Sequence, residues 1–70
     1  MDKIELMREI VNGHSYKEIE GTIIDVQTAN LIIKVYEGLR SELKDHFTSQ
    51  SIIKMADISW KVYAKQQARA

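Results

Sequence analysis

The stretch Glu20–Asn30, EGTIIDVQTAN, decides the fold, because it passes from a strand-like to a helical pattern with no proline and no loop between. Upstream of it, Ser15–Asp25 reads SYKEIEGTIID, two runs of about four residues around Glu20-Gly21, and Gly21 can take the positive φ that a tight hairpin turn demands. Glu-Gly is a weaker turn signal than Asn-Gly, and an isolated two-stranded hairpin is barely stable in water, so the hairpin must lie against helices. Downstream, the short carboxylate of Asp25 can accept from backbone N–H groups two or three residues on, at Gln27 and Thr28, and its charge suits the positive end of a helix. Thr28 stands where a capping box prefers Glu or Gln, so the cap is half specified. A helix is expected from Val26 to about Arg40, with Gly38 weakening its last turn.

At about 100° per residue, Val26, Ala29, Leu31, Ile32, Ile33, Val35, Tyr36 and Leu39 of that helix share one wide apolar arc. Such a helix is central and covered on more than one side. The segment Asp2–Asn12 places Ile4, Met7, Ile10 and Val11 at helical spacing, with Asp2 as its cap and Gly13 as its stop. Ser41 opens a short helical turn, SELKDHF, in which Leu43 and Phe47 can anchor to the core. After TSQS, where Ser49 or Ser51 can cap, a last helix is expected from about Ile52 to Gln66. The expected fold is therefore a mainly α, small helical bundle of three main helices plus one short helix, with a short β-hairpin between helix 1 and helix 2.

Seventy residues make a single domain over 1–70. A chain this short buries about 60% of its unfolded surface and needs help from disulfides, metal or a second subunit. There is no cysteine, and His14 and His46 lack ligand-spaced companions, so no metal or other cofactor is expected. Ten basic and ten acidic side chains give zero net charge, and no apolar run approaches the ~20 residues of a membrane span. The start, MDKIELMREI, has acidic residues where a secretion signal is basic, so a cytoplasmic location without a membrane partner is the expectation.

No catalytic constellation is spelled out. Asp25 with Thr28 lacks the base and oxyanion site that a nucleophile needs, and capping is the better reading. Glu42 and His46 have i, i+4 spacing but no third ligand, and a solvated pair explains them. His14 with Tyr16 fits the edge of a core, and the glycines at 13, 21 and 38 are too scattered for a phosphate loop.

The last helix is more informative. Ile52, Ile53, Met55, Ala56, Ile58, Trp60, Val62, Tyr63 and Ala64 sweep most of its circumference, more than one small core needs. Trp60 and Tyr63, with Met55, are residue types that anchor interfaces as well as cores. A homodimer built on Met55, Ile58, Trp60, Val62 and Tyr63 would hide this surface. Charge is uneven along the chain: residues 1–25 hold three basic and six acidic side chains, while residues 51–70 hold four basic and one acidic. Lys54, Lys61, Lys65 and Arg69 could therefore touch nucleic-acid phosphates, although three lysines on an apolar helix are better explained as what keeps it in water.

The series GTIID..TA, VYEGL and KMADISWK resembles a family of small proteins of unknown function from bacteriophages and prophages, through Gly21, Thr22, Asp25, Thr28, Ala29, Val35, Tyr36, Leu39, Lys54, Met55 and Trp60. The resemblance implies a phage or mobile-element setting and carries no site residues. Together these features point to a non-enzymatic interaction protein, homodimeric and able to modulate a host protein, with a nucleic-acid-binding accessory protein as the alternative.

Overall fold

The structure, a computed structural model, describes residues 2–68. Helix α1 (Lys3–Gly13) leads into strands β1 (Lys17–Ile19) and β2 (Thr22–Ile24), followed by α2 (Val26–Glu37), α3 (Ser41–Thr48) and α4 (Ile52–Ala68). The architecture is mainly α with a two-stranded antiparallel hairpin between the first two helices.

The hairpin is built as its residues dictate. Ile19 pairs with Thr22, which leaves Glu20 and Gly21 as a two-residue turn. Both are left-handed, with φ of 53° and 77°, the combination that follows the twist of the strands. The pairing places Ile19 and Ile24 on one face, and both are buried against the helices, whereas Ile23 on the other face is exposed. Asp25 then starts α2 at once: its carboxylate accepts from the Thr28 N–H at 2.8 Å. Replacing Asp25 with Ala is expected to cost about 1 kcal/mol of stability, measured as a lowered urea midpoint.

Helix α2 packs against α1, α3 and α4. Its Ala29 and Ile32 are fully buried, in one core with Ile4, Met7 and Ile10 of α1, Phe47 of α3, and Ile52 and Met55 of α4. Three local expectations need correction. The α1 stop is His14, held at φ 52° with its N–H on the carbonyls of Ile10 and Val11, while Gly13 is still helical. Helix α2 ends at Glu37, before Arg40, because Gly38 closes it with bonds to Lys34 and Val35, and Arg40 is already extended as the residue preceding α3. Leu43 is 42% exposed, so Phe47 alone of that pair anchors α3.

One tie joins distant parts of the chain. The Glu20 carboxylate, presented by the hairpin turn, accepts from the Ile52 N–H at 2.8 Å through one oxygen and meets the Lys3 ammonium at 3.2 Å through the other. Lys3 also donates to the Gln50 carbonyl. A left-handed Glu is costlier than Asn or Gly, and this bond set is the structural return for it. Ser51 adds a second acceptor at the start of α4, taking the Lys54 N–H at 3.2 Å.

These bonds set an acid sensitivity. The Ile52 N–H and then Lys3 hold the Glu20 carboxyl below its ordinary value, and the Thr28 N–H and then the Thr28 hydroxyl do the same for Asp25. A carboxyl depressed in the folded state contributes stability that is complete above its unfolded pKa and is lost as pH falls through the folded one. The urea midpoint is therefore expected to be level above about pH 5 and to drop as the solution is acidified towards pH 3. Glu20→Gln, which keeps an acceptor for Ile52 and loses the Lys3 pair, should flatten part of that drop.

Candidate interaction face

Helix α4 divides into two halves with different surroundings. In the first, Ile52, Met55 and Ser59 are fully buried at three- and four-residue spacing, which points that face into the core. Ser59 is a polar side chain in an apolar place, and its hydroxyl is satisfied by donating to the Met55 carbonyl at 2.8 Å. From Trp60 to Ala68 every residue is exposed, so the second half projects past the buried core.

That projecting half carries Trp60, Val62 and Tyr63, exposed by 41, 37 and 41%. Trp60 and Tyr63 meet edge to face, with ring centres 5.6 Å apart, and the indole N–H donates to the Thr28 hydroxyl at 3.3 Å. The first residues of α2 thus hold the aromatic pair in place. Between α2 and the projecting half lies an open groove of about 590 Å³, walled by Leu31 and Val35 on one side and Val62 and Tyr63 on the other, with Asn30 and Lys34 at its edge. Its walls mix apolar side chains with a few polar ones, the usual make-up of a recognition groove.

The structure separates the five expected interface residues. Trp60, Val62 and Tyr63 share the projecting half, whereas Met55 is fully buried in the core and Ile58 is partly buried against it. Met55 is therefore a core residue, its flexible side chain filling space under α2, and is not available to a partner. Ile53 is 60% exposed and belongs to the surface instead, which an all-round apolar helix in the sequence does not reveal.

The other candidate residues lie apart. Lys54, Lys61 and Lys65 are exposed on α4, and Lys61 bonds Asp57 at 3.0 Å, which places a carboxylate inside the basic stripe. Arg69 lies outside the described residues. His14 and Tyr16 are exposed beside the end of α1, and the Glu42 carboxylate lies 3.8 Å from Arg40. Among the described residues no three potential metal ligands come together. No helix among them is long and apolar enough to cross a membrane.

Comparison with protein-family models, with curated proteins and with solved structures returned no match.

Proposed function

We propose that the protein is a non-enzymatic protein-interaction module that works as a homodimer through the projecting half of α4. The observation that carries this reading is the run of exposure from Trp60 to Ala68 in a helix that still holds an aromatic pair and Val62 there. A tryptophan and a tyrosine at one exposed site are the residue types most often found at the energetic centre of an interface. The small core gives a second reason, since a domain of this size gains much from a partner subunit.

The phage-type setting, in which such a module acts on a host protein, is supported by the resemblance in GTIID..TA, VYEGL and KMADISWK. Light scattering after gel filtration tests the dimer. At tens of micromolar the expected mass is twice that of one chain, and a single-chain mass at that concentration would contradict it.

A further inference from the structure

Asn12 and Gly13 form an Asn-Gly pair at the end of α1, and both residues are exposed. The side-chain carbonyl of an asparagine is open to attack by the backbone nitrogen of the next residue, and a glycine there leaves the approach clear because it has no Cβ. The new bond, from the Gly13 nitrogen to Asn12 Cγ, closes a five-membered succinimide. The side-chain nitrogen departs as ammonia and takes the proton of the Gly13 N–H with it. Water then opens the ring at either carbonyl, which leaves an aspartate or an isoaspartate, the latter with the backbone routed through the side-chain carbon. Water is the only co-reactant. The other asparagine of the chain, Asn30, is followed by the branched Leu31 inside α2 and lacks this opening.

The fold holds the reaction back. Gly13 is the last residue of α1, so the helical pattern turns its N–H towards the Glu9 carbonyl and keeps Asn12 at a ψ of about −42°. Ring closure requires both to be given up. They are kept by the cap that follows, in which the His14 N–H donates to the Val11 carbonyl at 3.3 Å and the Ser15 N–H to the Ile10 carbonyl at 3.4 Å. Ile10 is fully buried, whereas the chain from Asn12 to Glu18 is exposed without a break, so the last turn opens more easily than the helix behind it. The cap itself is weakened, because its left-handed residue is His14 and the glycine lies one position too early to relieve it.

We infer that Asn12 is a site of spontaneous self-modification gated by the last turn of α1, protected while the turn is closed and converted to aspartate or isoaspartate when it opens. The inference does not depend on the interaction reading. Its product works against the cap. A carboxylate at position 12 lies three residues from Glu9 at the negative end of the helix, and the iso linkage lengthens the backbone between the residues that make the two cap bonds. Conversion therefore loosens the joint between α1 and β1, which the Glu9–Lys17 pair at 2.9 Å also spans.

The native chain and the chain held unfolded in guanidinium chloride are incubated at one pH, temperature and ionic strength, and conversion is followed by peptide mapping that resolves amide, aspartate and isoaspartate. Conversion at Asn12 is expected to be about tenfold or more faster in the unfolded chain, with Asn30 little changed in either. His14→Gly, which relieves the cap, should widen the ratio of unfolded to folded rate severalfold, each variant being referred to its own unfolded rate. Equal rates at Asn12 in the folded and unfolded native chain would overturn the gate, as would a ratio that His14→Gly leaves unchanged. Conversion at Asn12 no faster than at Asn30 in the unfolded chain would overturn the site.

Discussion

Ile32→Ala is expected to remove about half of the folding free energy. Ile32 is fully buried in the middle of α2, the helix on which α1, α3 and α4 all pack. Cutting a buried isoleucine to alanine costs about 2–5 kcal/mol, because the surrounding helices close the resulting cavity only in part. At roughly 0.05–0.15 kcal/mol per residue, a chain of this length holds about 3.5–10 kcal/mol in all. Urea unfolding should show a much lower midpoint, and the variant should be partly unfolded near body temperature. Ile53→Ala, on the exposed side of α4, should change the midpoint of dilute protein by less than about 0.5 kcal/mol. Equal effects from the two isoleucines would contradict the placement of the core.

Trp60→Ala is expected to separate association from folding. Trp60 is 41% exposed and joined to the fold by one hydrogen bond to Thr28 and one edge contact with Tyr63. In a dilute single chain its truncation should cost about 1–2 kcal/mol, since the indole is part covered and the bond to Thr28 is lost. At an interface centre, truncating a tryptophan costs about 2 kcal/mol or more, equivalent to about thirtyfold weaker dimerisation. Sedimentation equilibrium of the native and variant chains measures the ratio directly. A variant that dimerises as tightly as the native chain would show that the interface lies elsewhere.

The two ends of Glu20–Asn30 show what sequence makes legible and what it does not. The hairpin turn and the Asp25 cap are local: Gly21 supplies a left-handed residue and Asp25 a short acceptor beside the N–H groups it serves, so both can be read from neighbours in the chain. The Glu20–Ile52 bond joins residues 32 positions apart, and no neighbour of either announces it. A glutamate at a position where a tight turn favours Asn was the one available sign. The last helix was legible in its surplus and illegible in its division. Helical spacing marks Met55, Ile58, Trp60, Val62 and Tyr63 alike as apolar, and only the face that α4 turns towards the core assigns Met55 to the interior and Ile53 to the surface. That choice of face depends on packing between helices, which a helix apolar on most sides does not encode. The same holds for Leu43, whose spacing from Phe47 fits an anchor that the packing leaves half open.

Trp60 is the single tryptophan of the chain and lies on the projecting half of α4, so its fluorescence tests the proposed dimer most directly. Emission should be read from nanomolar protein to tens of micromolar at fixed salt. A shift to shorter wavelength that rises with concentration, and that Val62→Asp moves to higher concentration, is the expected result. An emission maximum that stays that of a half-exposed indole across the whole range would contradict the pairing of α4 with a second copy.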